Sequence, residues 1–286
     1  MNINKKIKKI FDKINIKDRK KLQISFGIIC EKIILENGDK YIAKYYQTKN
    51  NQFNSIDVES NSLIFLNDLN FQLFPKVYYF DKEILIMNLI DHDGIKPKNL
   101  KDDFIKSILK LHSLSNDKFG FIFDTQIGGM KQPNKLNANW VDFFSNQRLS
   151  VMYEAINKTN PMPKNINVKI EKLINNIADF LPKNPKISLL HGDLWEGNIL
   201  FKNQKLVGLI DPGIFFGHNE MELAYLRWFN FVDKNFLHEY NNYSIIDKNY
   251  YSYEPIYQLY YSLSNIYLWS RDYINNTSDL LNKIKI

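Results

Sequence analysis

The sequence predicts an α+β chain of two lobes, a small antiparallel sheet carrying one helix followed by a larger, mainly helical part. Three observations point there. Residues 22–46 are rich in β-branched and aromatic side chains and contain Asn37-Gly38, a strong hairpin signal. After Asp91-His92-Asp93-Gly94 helical periodicity takes over, as in Phe104, Ile105, Ile108, Leu109 and His112. The 286 residues suffice for two packed lobes, each with a core of its own. The expected lobes are residues 1–90 and 91–286.

The elements follow in order. Ile3, Ile7, Ile10, Phe11 and Ile14 recur at helical steps between lysines, so the first twenty residues read as an amphipathic helix. A basic amphipathic helix can lie on a membrane, but Asp12 and Asp18 oppose anionic lipid, and packing on the body of the protein is expected. Residues 22–35 and 40–46 read as strands, with Ser25-Phe26-Gly27 the candidate turn within the first stretch. A helix over 56–69 and strands over 77–80 and 83–88 complete the small lobe. Pro161, Pro163, Pro182 and Pro185 punctuate the helical part. Five of the eleven glycines fall between Gly192 and Gly217, where backbone must turn sharply or approach a ligand.

Composition removes several classes of function. With 44% apolar and 24% charged residues the chain is neither collagen-like nor disordered. Cys30 is the single cysteine, so an internal disulfide framework and a cysteine-rich zinc site are excluded, and the five histidines show no metal-ligand spacing. The net charge is +7, yet only Arg19, Arg148, Arg227 and Arg271 could supply the forks that read nucleic acid, so no nucleic-acid partner is expected. The longest apolar stretch, 84–90, is interrupted by Asn88 and too short to span a bilayer. No secretory signal is read at the N-terminus, and the expected compartment is the cytoplasm.

The chemistry concentrates in His191-Gly192-Asp193-Leu194-Trp195-Glu196-Gly197-Asn198 and the hairpin that follows, 199–201 with 206–210, which ends in Asp211-Pro212-Gly213. Such a hairpin is expected to bring Asn198 and Asp211 side by side, an oxygen-rich pair suited to Mg²⁺. An Asp, an Asn five positions later and an Asp thirteen beyond that follow the pattern of protein-kinase-like phosphotransferases. Such a site also needs a strand lysine and a helix glutamate. In Tyr41-Ile42-Ala43-Lys44, alternation puts Ile42 and Lys44 on one face, to meet adenine and phosphates respectively. Glu59 shares a helical stripe with Ile56, Leu63 and Leu66, and a carboxylate on an apolar face calls for a partner such as Lys44. No glycine-rich phosphate motif is present. His112 reads as a core histidine and His191 as a structural one.

Together these residues resemble the fructosamine kinase (ketosamine-3-kinase) family of the aminoglycoside phosphotransferase-like superfamily, over residues 24–269. The run from His191 to Asn198 with its Trp195, then Asp211-Pro212-Gly213 and Gly217-His218-Asn219-Glu220-Met221-Glu222-Leu223-Ala224, carry the likeness. Gln132, Asn134, Trp140, Arg148 and Tyr257-Gln258-Leu259-Tyr260 add to it. The resemblance implies a two-lobed protein-kinase-like fold using ATP and Mg²⁺ to phosphorylate the sugar 3-hydroxyl of a ketosamine, after which the adduct releases its amine. It implies Asp193 as the base, Asn198 and Asp211 as metal ligands, and Lys44 with Glu59 on the ATP phosphates. ATP is expected near residues 87–91, with Asn88 and Leu89 at the adenine, and Trp195 as a wall of the substrate pocket. Glu220 and Glu222 could face an amine substrate or stabilise the helix they begin.

The sequence departs from the family at Asn88, where an acidic residue is usual, at Gln23, where a cysteine is frequent, and at Leu263-Ser264-Asn265. Two alternatives accompany this reading: a phosphotransferase for another small hydroxyl substrate, such as an aminoglycoside or choline, and a non-catalytic nucleotide-binding protein. A monomer and a homodimer are equally compatible with the sequence.

Overall fold

A computed structural model describes residues 3–48, 53–98, 100 and 102–285. In chain order its elements are α1 (Ile3–Ile10), β1 (Ile16–Ser25), β2 (Ile28–Leu35), β3 (Lys40–Tyr46), α2 (Ser55–Asp68), β4 (Val77–Asp81), β5 (Ile84–Asn88) and α3 (Asp102–Ser113). A short hairpin, β6 (Thr125–Ile127) and β7 (Met130–Gln132), precedes α4 (Trp140–Phe144), a π-helical turn (Ser145–Leu149), α5 (Ser150–Thr159) and α6 (Lys164–Asn175). Then come β8 (Ile187–Leu190), β9 (Ile199–Lys202), β10 (Lys205–Leu209), β11 (Phe215–His218), α7 (Asn219–Trp228), α8 (Lys234–Asn241), α9 (Tyr250–Leu268) and α10 (Tyr273–Lys283).

The chain divides into two compact units: Met1–Pro97 with Ile199–Pro212, and Lys98–Asn198 with Gly213–Ile286. The first holds an antiparallel sheet in the order β1-β2-β3-β5-β4. Its alternation sorts the chemistry. Ala43 and Tyr45 turn to one face, where Ile7 and Phe11 pack with Ile29, Ile33, Leu35, Ile84 and Ile86. Ile42 and Lys44 take the opposite face. Asn54 caps α2 by accepting from Asp57 N (3.2 Å), and the helix buries Ile56, Leu63 and Leu66 completely. The β9–β10 hairpin joins this unit through Leu209 N to Leu73 O (2.9 Å) and Asp93 N to Phe201 O (3.0 Å).

The expected N-terminal helix is shorter than its periodicity suggests. It stops at Ile10, and residues 16–25 pair with β2 instead. Ile14 and Ile16 still pack against the same cluster, so one hydrophobic spacing serves a helix and then the entry to a strand. The loop after β2 falls at residues 36–39, where the expected strand bounds leave it. Leu35 accepts from Gly38 N and donates to Asp39 O, and Gly38 takes the left-handed φ of +92°.

The second unit is mainly helical. Its long helix α9 packs against α5, α7 and α10, and Trp140 Nε1 donates to Tyr257 Oη (2.8 Å) in its core. Strands β8 and β11 pair antiparallel, Leu190 opposite Phe215, and frame the segment after Leu190. Among the described residues no helix is long and apolar enough to cross a membrane.

Candidate active site

The first unit presents a buried charge cluster. Lys44 Nζ donates to Glu59 Oε1 at 2.7 Å and to Asp211 Oδ1 at 2.5 Å. Glu59 therefore has the partner that its place in the apolar stripe demands. Burial works against the Lys44 ammonium, but the charges of Asp211 and Glu59 outweigh it and raise its pKa, so the lysine stays cationic. Asp211 stands two residues beyond β10 with φ +55°, a conformation a non-glycine residue seldom adopts, and its side chain is 34% exposed. Ile42 is half-buried, opposite Met87 on β5. Asn88 Oδ1 accepts from Lys76 N (2.5 Å), while Leu89 N is spent on Lys40 O (3.0 Å).

In the second unit the segment after β8 is held by backbone anchors. Gly192 has φ +84°, and a Cβ there would lie 2.1 Å from Gly213 O, so glycine is required twice over. Gly213 N donates to His191 O (2.9 Å), and Gln132 Nε2 donates to Gly213 O (3.1 Å) while its Oε1 accepts from Tyr260 Oη (2.8 Å). Arg148, 1% exposed, supports this brace. It donates to Asn134 Oδ1 (2.6 Å) and Pro133 O (2.5 Å) and lies over the Phe215 ring. The scattered family-like positions Gln132, Asn134, Arg148 and Tyr260 thus belong to one support.

Glu222 fastens the same segment from α7. Its carboxylate accepts from Gly192 N (2.8 Å), His191 N (3.3 Å) and His112 Nε2 (2.9 Å), and His112 Nδ1 meets Tyr240 Oη (2.8 Å). Burial opposes the charge on Glu222, yet the His112 bond and the backbone donors hold its pKa below the ordinary carboxylate value. His112 and His191 are both fully buried. His191 Nδ1 accepts from Asp193 N at 3.3 Å.

Asn198 Nδ2 donates to Asp193 O (2.8 Å), so the amide oxygen is the atom it offers to a cation. An amide oxygen and the Asp211 carboxylate are the hard donors Mg²⁺ prefers. Among the described residues no group of three or more His, Cys, Asp or Glu could hold a metal ion. Asn198 and Asp211 each offer an oxygen of the kind Mg²⁺ takes, an ion that fills its remaining positions with phosphate and water.

Asp193 and Trp195 both line a cavity of about 350 Å³ within this unit, with Tyr225, Phe229, Trp269 and Tyr273 among its other walls. Tyr225 Oη lies 3.5 Å from Asp193 Oδ1, and its ring stacks on Tyr261 at 3.6 Å. Glu220 does not line this cavity. It is 2% exposed, accepts from Asp247 N (2.7 Å) and from Tyr253 Oη, and so serves the loop before α9. Tyr225 is absent from the candidates the sequence offers, and Glu222, expected to face an amine substrate or stabilise its helix, instead accepts from the backbone of Gly192 and His191. The Glu222 clamp had a signal, since a carboxylate inside Met221–Leu226 poses the same burial problem as Glu59.

The family and the relatives that the chain matches make it an ATP-dependent phosphotransferase with an alcohol acceptor. A family model described as fructosamine kinase matches residues 1–286, and the chain belongs to that family. It is 28% identical over 271 residues to the probable ketoamine kinase of Pasteurella multocida, covering 92% of each chain. The solved "putative fructosamine-3-kinase" of Haemophilus somnus is similar at a TM-score of 0.83 and 25% identity, with 99% of this chain and 97% of that one covered. An aminoglycoside phosphotransferase solved with ADP shares the fold at a TM-score of 0.63 and 19% identity, covering 99% and 97%.

Proposed function

We propose that this protein transfers the γ-phosphoryl group of MgATP to the 3-hydroxyl of a ketosamine, a fructosyl- or ribulosyl-amine, as a step in removing sugar from amines. The observation that carries this reading is the position of Asp193 and Trp195 on one cavity of about 350 Å³, near the small end of the range for ligand sites. Asp193 would orient the sugar hydroxyl and accept its proton as the oxygen bonds to the γ-phosphorus and the bond to ADP breaks. Trp195 would lie against the apolar side of the sugar. Lys44, aimed by Glu59, would hold the α/β-phosphates, with Ile42, Asn88 and Leu89 on the adenine side. Asn198 and Asp211 would hold Mg²⁺, whose charge offsets that of the phosphoryl oxygens. The 3-phosphorylated product is then unstable and releases the amine.

Aromatic walls beside a carboxylate also suit a quaternary ammonium, so a choline-type acceptor is the second reading. One panel separates them: ADP formation with MgATP and a fructosyl- or ribulosyl-amine, kanamycin or choline. Turnover of the ketosamine alone is expected. Turnover of kanamycin or choline alone would replace this proposal.

A further inference from the structure

We propose that Tyr225 is a positioning residue for the proton acceptor: its hydroxyl, itself oriented by Asn265, holds the Asp193 carboxylate in the attitude from which it meets the substrate hydroxyl. This rests on Asp193 being the base, as in the reading above. It adds a chain of three side chains, from α9, α7 and the segment after β8, all within the second unit.

Three observations carry the inference. First, the hydroxyl reaches the carboxylate. Tyr225 Oη donates to Asp193 Oδ1 at 3.5 Å, and both residues line the same cavity. Catalytic hydrogen bonds are often this long before substrate binds and tighten in the Michaelis complex. Tyr225 follows Glu222 by three positions on α7, so one helix face grips the segment twice. Glu222 holds it by Gly192 N (2.8 Å), and Tyr225 by the Asp193 side chain. Second, the ring is held in place. It is 4% exposed, stacks on Tyr261 with centroids 3.6 Å apart and planes at 6°, and meets the Phe229 ring at 5.4 Å and 61°. Only the torsion of the hydroxyl proton is left to set. Third, Asn265 sets it. Asn265 Nδ2 donates to Tyr261 O at 2.8 Å, and a carbonyl can only accept, so the amide nitrogen is fixed on that side. Its second hydrogen goes to Tyr225 Oη, which leaves the phenol proton for Asp193. Burial and the Asp193 charge raise the phenol well above its ordinary pKa, against the effect of the Asn265 bond, so the proton stays on the ring oxygen. Asn265 belongs to Leu263-Ser264-Asn265, where the sequence departs from the family, and that departure supplies the donor.

The test is a pair of double-mutant cycles on the full chain, with MgATP and a fructosylamine. Tyr225→Phe keeps the ring, its stack and the cavity wall and removes only the hydroxyl. Its kcat should fall ~10-fold or more, the size expected of a hydrogen bond to a charged group, with KM for ATP and the urea midpoint close to the original. Asn265→Leu should lower kcat by less, and should add nothing to Tyr225→Phe. The deciding arm places Tyr225→Phe in Asp193→Asn, where a residue that acts through the carboxylate costs nothing further. An unchanged kcat for Tyr225→Phe, or losses that add in full in either double variant, would overturn the inference while leaving the base in place. Full activity in Asp193→Asn alone would overturn Asp193 as the base, and this inference with it.

Discussion

The clusters of candidate residues in the two units solve different problems. In the first unit Lys44, Glu59 and Asp211 form a charge cluster in which each group compensates another. In the second one carboxylate, Asp193, stands at the edge of an aromatic cavity, on a segment fixed by backbone bonds to Glu222 and Gly213. Charge complementarity organises the first, and backbone geometry the second. Damage to the first should therefore reach both nucleotide binding and folding. Damage to the second should reach turnover with little loss of stability, except where the Glu222 anchor is cut.

The largest expected effect separates these consequences. Asp193→Asn should lower kcat by ~100-fold or more, as loss of a positioned proton acceptor does, and leave the KM for ATP and the urea midpoint close to the original. An equal loss of nucleotide affinity would break the comparison. Lys44→Met should raise the KM for ATP and also destabilise the fold by about 3–5 kcal/mol, the usual cost of orphaning a buried partner, read from urea unfolding. Adding Glu59→Leu to it should recover much of that stability without restoring activity.

Glu222→Gln sharpens the other side. The folded-state pKa of Glu222 is depressed, so its contribution is fully present above the ordinary carboxylate value of about 4.3 and fades as pH falls through the lower folded value. The stability gap between the original and Glu222→Gln should then be widest above about pH 5 and close toward acid. A gap unchanged by acid would mean that the clamp works without its charge. The smallest effect concerns Cys30, whose thiol burial pushes up to about 11. At pH 8 it should react with a thiol reagent far more slowly in the native protein than in urea, and MgATP should slow it further, because Cys30 lies across from Lys44 on the same face of the sheet.

What was legible in the sequence follows the same division. Glu59 announced its partner because a carboxylate among Ile56, Leu63 and Leu66 cannot be buried alone. The spacing of Asp193, Asn198 and Asp211 was visible because glycines and a hairpin isolate it. The cavity walls were not visible in this way. Tyr225, Phe229 and Tyr273 have the same chemistry as Tyr253, Tyr257 and Tyr260, which fill the core of the same unit. Only packing distinguishes an aromatic ring on a cavity from one sealed beneath it. The end of α1 was obscured for a related reason, because Ile14 fits the helical step and also the cluster under the sheet.

The most direct measurement maps the phosphate on the product. A ¹³C-labelled ketosamine turned over with MgATP and followed by ³¹P and ¹³C NMR should show phosphorus coupled to carbon 3, matched by an equal amount of ADP and followed by release of the amine. Phosphate on a different hydroxyl, or ADP formed with the sugar unmodified, would contradict the account.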